Sequence, residues 1–219
     1  MQWEQLFKLV GGATVETLIM VFFSTLFSVI LGLPLGVLIC VTDPNGITPK
    51  PVLNQVLNRI VDILRSFPFL ILMIVLFPLS RIIIGTTIGT VATIVPLSIA
   101  AAPFVARIIE TALKEIDPGV IQAARAMGST NAQIILKVMI PEALPSLVDG
   151  ITLTIINVIG YSAMAGTIGG GGLGDLAIRY GYQRFRIDVL IAAVIVILIL
   201  VGLIQMIGSK ISAALMKRR

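Results

Sequence analysis

The sequence has no histidine and only one cysteine, Cys40, among its 219 residues. It can therefore form neither an internal disulfide nor the cysteine and histidine clusters that hold structural zinc. The G-x-x-x-x-G-K-[ST] pattern of phosphate loops is also missing, so the common ATPase chemistry is not expected in this chain. We predict that the protein is not an enzyme, and that it has no catalytic site, no metal site and no cofactor of its own.

Charged residues are scarce as well. They make up 12% of the chain, against 57% hydrophobic residues, and the mean hydropathy is +1.06. This balance exceeds that of soluble domains and predicts an integral membrane protein, with lipid as a partner. A helix needs about 20 apolar residues to cross a hydrocarbon layer of about 30 Å. The uncharged stretches that are long enough are 17–41, 82–106, 150–174 and 189–209.

A further span is predicted from a shorter apolar stretch, 66–80, which lies between Arg65 and Arg81. We expect its helix to begin earlier, near Leu57, because the apolar stretch alone is too short to cross a bilayer. The expected architecture is all-α, a polytopic membrane protein with five transmembrane helices. Residues 1–219 are expected to form a single transmembrane domain.

The positions of lysine and arginine predict the orientation, because short cytoplasmic loops are enriched in both residues. With the N-terminus outside and the C-terminus in the cytoplasm, most of the 16 basic residues lie on the cytoplasmic side. These are Lys50, Arg59, Arg65, Arg107, Lys114, Arg125, Lys137, Lys210, Lys217, Arg218 and Arg219. Topology thus explains the net charge of +5 without a nucleic-acid partner.

A more polar stretch lies between the uncharged spans 82–106 and 150–174. It predicts a pair of cytoplasmic helices at about 117–140. Asp117 followed by Pro118 is typical of a helix start, since the Asp side chain caps the helix and proline fits its first position. Gly128 is typical of a helix end, because glycine adopts the left-handed conformation freely. The alanines of this first helix would let the surface of a partner protein come close.

The second helix of the pair is predicted to begin at a capping box formed by Thr130 and Gln133 and to be limited or bent by Pro141. Two other interpretations of the pair are an amphipathic helix in the lipid headgroup region and a helix-turn-helix that reads DNA. A helix fused to a membrane span could hardly enter a major groove freely, so the DNA interpretation is not favoured.

The same stretch resembles the coupling motif of ATP-binding-cassette (ABC) importer permeases. That motif reads Glu-Ala-Ala, three residues, Gly, nine residues, then Ile-x-Leu-Pro. Here its positions are occupied by Gln122, Ala123, Ala124, Gly128 and Pro141, with Gln122 in place of the usual Glu. The resemblance implies that these residues couple the permease to a separate ATPase, with Pro141 fixing the angle into the next span.

Segments 64–72 and 157–185 resemble the methionine permeases of this superfamily. The resemblance implies a type I importer permease fold and a homodimer in the bacterial inner membrane. It also implies two ABC ATPase subunits, which bind ATP and Mg²⁺, and an extracytoplasmic lipoprotein that delivers methionine, with D-methionine as a further substrate. Transport would then proceed by alternating access, driven by closure of the ATPase subunits.

Polar residues inside spans are candidates for the transport pathway, because burying them in lipid is costly. Asn157, Ser162 and the apolar Met164 lie in the segment that resembles methionine permeases. For these residues, lining of a pathway or gate and ordinary packing both remain open. For Ser98, Thr154 and Thr167 we favour packing, since a hydroxyl can bond to its own helix backbone.

Two alternative functions remain open. A permease of the same superfamily could carry another small solute, because the delivering protein can determine the choice of substrate. An ion-coupled secondary transporter is less favoured, since the chain is short, shows no inverted repeat and places no conspicuous Asp or Glu in the middle of a span.

Overall fold

The computed structural model describes residues 3–217, and almost all of them are helical. The helices are α1 (Trp3–Thr42), α2 (Pro51–Ser66), α3 (Phe69–Ile84), α4 (Thr90–Lys114), α5 (Pro118–Ala126), α6 (Asn131–Gln133), α7 (Ile140–Glu142), α8 (Leu144–Gly166), α9 (Gly172–Leu176) and α10 (Ile187–Met216). Two π-helical segments, Ile134–Met139 and Ala177–Tyr182, follow α6 and α9. Within residues 3–217 no strand is present, and the predicted all-α class is confirmed.

Four helices of the described chain are long and apolar enough to cross a membrane, namely α1, α4, α8 and α10. With 40 residues, α1 is about 60 Å long, roughly twice the thickness of a hydrocarbon core. Its charged residues, Glu4, Lys8 and Glu16, all lie in its first half. The excess length of α1 therefore extends beyond the membrane at its N-terminal end.

The remaining span differs from the prediction. The axes of α2 and α3 are bent by 106° at the break between them, so a continuous helix from Leu57 is wrong. The cause is Pro68, because a residue before proline disfavours the helical conformation, and Phe67 is extended, with φ −69° and ψ 134°. The strongly apolar helix α3 begins at Phe69, and α2 is bent sharply away from its axis. Counted as one broken span, α2 and α3 complete the predicted five.

The central helix of the bundle is α4, which packs against α1, α3 and α8 and is buried along most of its length. Two glycines let α1 approach it closely. A Cβ atom added at Gly32 or Gly36 would lie only 2.7 or 2.5 Å from a backbone oxygen of α4. Small residues allow helices in membranes to pack at such short distances. These glycines therefore serve packing within one protomer.

The segments that connect the spans gather at two ends of the bundle. We call one the basic end, consisting of residues 43–50, α2, α5, α6 and α7 with the adjoining end of α4. We call the other the glycine-rich end, consisting of residues 85–89 and 167–186. Arg218 and Arg219, which contribute to the predicted cytoplasmic charge, lie outside the described residues.

Candidate functional site

The helix α5 has the start and the end that the sequence predicts. The Asp117 side chain accepts a hydrogen bond from the backbone N–H of Gly119 at 2.7 Å, with Pro118 at the first helical position. After α5, Gly128 adopts a φ of 81°, a left-handed conformation that favours glycine. Both ends are thus fixed by local interactions, and the helix between them has nine residues.

The second helix of the pair leads directly into the span α8. The predicted capping box is confirmed: Gln133 N–H donates to Thr130 Oγ1 at 3.3 Å, and Thr130 N–H donates to Gln133 Oε1 at 2.9 Å. From α6 the helix continues through the π-helical segment and the exposed Pro141 into α8. Proline lacks an N–H and crowds the carbonyl four residues earlier, which accounts for a locally widened helix before it.

The residues of the coupling motif lie on different faces of α5. Ala124 is 2% exposed and belongs to the same hydrophobic cluster as Ile134 and Met139. Gln122 and Ala123 are exposed. The expectation that the alanines together form a partner-facing surface is therefore wrong for Ala124. The reason is that each residue turns the helix by about 100°, so neighbouring side chains point in different directions.

A contact that the sequence did not reveal ties α5 to residues 43–50. Arg125 Nη2 donates a hydrogen bond to the backbone oxygen of Ile47 at 2.7 Å. An open cleft of about 480 Å³ lies beside this contact, and Gln122 is among its lining residues. The coupling motif is thus attached to the rest of the basic end through its own side chains as well as through the backbone.

On α8, the candidate pathway residues separate into two groups. Leu153, Asn157, Gly160 and Met164 follow the spacing of one helical face. Leu153 and Met164 are each 50% exposed, and among the described residues the half-buried Asn157 side chain has no hydrogen-bond partner. Ser162 is instead 2% exposed, and its hydroxyl donates to a carbonyl of its own helix at 2.8 Å.

At the glycine-rich end, α9 is fastened to α1 by contacts that local sequence reasoning missed. The Glu16 carboxylate accepts from Gly172 N–H at 2.7 Å, and the Thr17 hydroxyl accepts from Leu173 N–H at 2.8 Å. These side chains satisfy N–H groups that a helix start leaves free. Nearby, burial raises the pKa of the Asp175 carboxyl, while its partner Arg179 opposes that rise.

A five-span bundle with a capped helix pair leading into its fourth span agrees with the resemblance of the sequence to ABC importer permeases. The family model described as "Binding-protein-dependent transport system inner membrane component" matches residues 32–218. The chain belongs to this family. It is therefore a multi-pass membrane protein, and membership confirms that it is a non-catalytic membrane component of a transport system.

Within this family, the chain is similar to two curated permease proteins of D-methionine transport systems. The chain is 50% identical over 208 residues to the probable D-methionine transport system permease protein MetI of Pasteurella multocida, covering 95% of this chain and 96% of the relative. It is 52% identical over 151 residues to the D-methionine transport system permease protein MetI of Escherichia coli strain K12, covering 69% and 70% of the two chains.

The chain also resembles solved structures of ABC transporters. A chain of the inward-facing MetNI methionine ABC transporter matches with a TM-score of 0.95 and 46% identity, covering 97% of this chain and 98% of that chain. An amino acid ABC transporter crystallised with histidines matches with a TM-score of 0.73 at 21% identity, which shows the fold alone. The predicted type I importer fold and the resemblance to methionine permeases are confirmed.

Proposed function

We propose that this chain is the transmembrane permease of an importer for methionine, with D-methionine among its substrates. The observation that carries the proposal is the 50% identity to a probable D-methionine permease over 95% of this chain. Residues 1–219 act as one permease domain and pair with a second copy of the chain. The protein lies in the bacterial inner membrane, with its N-terminus outside and its C-terminus in the cytoplasm.

The energy source in this proposal lies in other subunits. Two ABC ATPase subunits bind ATP and Mg²⁺ and dock at the basic end, whose charge fits the cytoplasmic side of a membrane. A methionine-binding lipoprotein delivers the solute at the glycine-rich end. There, Tyr182 and Phe185 are 71% and 84% exposed, and exposed aromatic residues are enriched where proteins bind one another.

The exposed face of α5 receives the motion of the ATPase. Gln122 and Ala123 lie on this face, and Met127 beside them is 80% exposed. Since Gln122 carries no charge, its contact with the ATPase is a hydrogen bond rather than an ion pair. Gly128 fixes the turn after α5, and Pro141 sets the direction in which the second helix enters α8.

Alternating access follows from this connection. ATP draws the two ATPase subunits together and moves α5 in each permease copy. The displacement reaches α8 because α6, the π-helical segment, α7 and α8 follow one another with almost no interruption. The two copies then rock to open the pathway outward, and hydrolysis of ATP resets them.

We assign the pathway to the face of α8 that carries Asn157 and Met164. The unpaired amide of Asn157 can bond to a polar solute, and the flexible Met164 side chain suits a gate. Ser162 supports this face from inside the protomer. In a Cys40→Ser background, a thiol reagent should modify Asn157→Cys, and excess methionine should slow that reaction. Ser162→Cys should react far more slowly; equal reactivity of the two would contradict the assignment.

The function is tested by uptake into vesicles that contain the permease, its ATPase and the binding lipoprotein. Labelled methionine should accumulate only with ATP, and D-methionine should compete. The permease alone should hydrolyse no ATP. Transport of another solute, with methionine neither carried nor competing, would contradict the substrate. Uptake driven by an ion gradient without ATP would instead support a secondary transporter.

A further inference from the structure

A line of ion pairs crosses the basic end and joins three parts of the chain. Arg107 contacts Asp62 through Nη2 and Glu110 through Nη1, each at 2.6 Å. Lys114 Nζ contacts Glu110 Oε1 and Asp43 Oδ2, each at 2.8 Å. We call these five residues the charge ladder. Its charges alternate in sign from Asp62 to Asp43, so every neighbouring pair attracts.

The charge ladder connects elements that are far apart in the sequence. Its middle residues lie on α4, Asp62 lies on α2 and Asp43 begins the segment 43–50. A second bond reinforces the α2 connection, since Arg107 Nη1 also donates to Asn58 Oδ1 at 2.8 Å. Segment 43–50 is in turn bonded to α5 through Arg125 and Ile47. A continuous series of contacts thus runs from α5 to α2.

Glu110 is the central member of the charge ladder. Its side chain is only 5% exposed, and each carboxylate oxygen bonds to a different cation. Burying such a group costs solvation energy, and well-packed apolar residues in its place are often neutral or stabilising. Stability alone therefore gives a poor reason for a buried carboxylate at this place, whereas two directed bonds fix the geometry of its neighbours.

The two ends of the charge ladder differ in exposure. The Asp62 side chain is 54% exposed and that of Asp43 is 22% exposed, and exposed ion pairs contribute little. Hydrogen bonding from Lys114 lowers the pKa of the Asp43 carboxyl, so this carboxylate stays charged at neutral pH. Each end thus has one partly exposed partner, since the Lys114 side chain is 45% exposed and that of Arg107 is 26% exposed.

We propose that the charge ladder holds α5, segment 43–50 and α2 in fixed positions relative to α4, so that a displacement of α5 also moves α2. Because α2 is joined to α3 at a bend, the motion reaches a second membrane-crossing helix besides α8. The proposal rests on the proposed function in that α5 receives the motion of an ATPase. Arg107, Glu110 and Lys114 are positioning residues, since they act through α5 and α2.

The first test measures coupling in the complete complex of permease, ATPase and binding protein in vesicles. Glu110→Gln and Lys114→Met should still hydrolyse ATP. Labelled methionine imported per ATP hydrolysed should fall by about fivefold or more, as expected when a buried charged group loses its partner. The conservative variant Lys114→Arg should import as much methionine per ATP as the wild type, because arginine keeps the positive charge. The control is Thr111→Val, since within residues 3–217 the Thr111 hydroxyl bonds only to its own helix, at Arg107 O.

The second test measures the geometry directly. Spin labels at the exposed Gln55 of α2 and Val120 of α5, in a Cys40→Ser background, report the distance between the two helices. In the otherwise unchanged complex this distance should stay the same with and without ATP. In Glu110→Gln its distribution should broaden when ATP binds. A purely structural role of Glu110 would not produce a change that depends on ATP.

Both readouts must change for the proposal to stand. The proposal is overturned if Glu110→Gln imports as much methionine per ATP as the wild type. It is also overturned if the distance distribution between α2 and α5 in this variant is that of the wild type. If that variant does not assemble, Asp43→Asn at the partly exposed end decides by the same two readouts. A wild-type complex that imports no methionine with ATP contradicts the proposed function itself, whereas wild-type coupling in the variants contradicts only the charge ladder.

Discussion

The basic end is held together by long charged side chains, whereas the glycine-rich end combines the bonds of Glu16 and Thr17 to α9 with direct contact between backbones. In the charge ladder, Arg107 and Lys114 reach across from α4 to other elements. At the opposite end, a Cβ added at Gly166 would lie 2.1 Å from the backbone nitrogen of Asp175, and one at Gly174 would lie 2.4 Å from Ala163 Cα. Such distances leave no room for any side chain.

These two kinds of contact allow different movements at the basic end and at the glycine-rich end. The ion pairs of the charge ladder keep the elements they join in fixed relative positions, so those elements shift together. Backbones in direct contact cannot slide without a clash, since packed interiors do not deform continuously. In the proposed transport cycle we therefore expect the basic end to move with the ATPase, while α8 and α9 stay fixed against each other.

The largest effect is expected at the glycine-rich end. Gly166→Ala would place a methyl group against the backbone of Asp175, so overpacking should destabilise the protein by about 1 to 3 kcal/mol or more. Gly202→Ala in α10 is the matched control, because nothing lies within 4 Å of its added Cβ, and alanine favours a helix. Thermal stability of the purified permease measures both; equal melting temperatures would refute the rigid contact.

The next effect separates the inner and outer faces of α5. Ala124→Leu should lower the stability of the permease itself by about 1 to 3 kcal/mol, because it overfills the cluster around Ile134. Ala123→Leu should leave that stability unchanged and weaken retention of the ATPase. Melting of the permease alone and co-purification of the ATPase distinguish the two. Identical behaviour of the two variants would show that the faces of α5 are not distinct.

The smallest effect concerns the turn after α5. A Cβ atom added at Gly128 meets open space, so the cost of Gly128→Val comes mainly from the left-handed backbone, about 1 to 2 kcal/mol. Gly128→Asn should recover most of this loss, since asparagine tolerates that conformation. Methionine uptake should follow the same order, with glycine above asparagine and asparagine above valine. Equal uptake by the valine variant would mean that the turn does not need to be fixed.

Sequence reasoning was accurate where neighbours along the chain decide the structure. The number of long spans follows from the uncharged stretches, and the ends of α5 follow from Asp117, Pro118 and Gly128. The limits of the spans do not, since α4 begins at Thr90 rather than at 82 and α8 ends at Gly166 rather than at 174.

Sequence reasoning was wrong about the second span because Pro68 redirects the helix. The local signal for this bend was Phe67, since a residue before proline disfavours the helical conformation. Sequence reasoning also missed the charge ladder, for which the helical spacing of Arg107, Glu110 and Lys114 was the available signal.

The sequence by itself determined that the chain is a membrane protein, where α5 begins and ends, and which family it resembles. Each of these follows from composition or from residues a few positions apart. Only the tertiary structure decided that Ala124 faces inward, that Glu110 joins Asp62 to Asp43, and that Gly166 touches Asp175. Those contacts depend on how separate helices are rotated and positioned against one another, and that arrangement is set by packing of the whole bundle rather than by local preference.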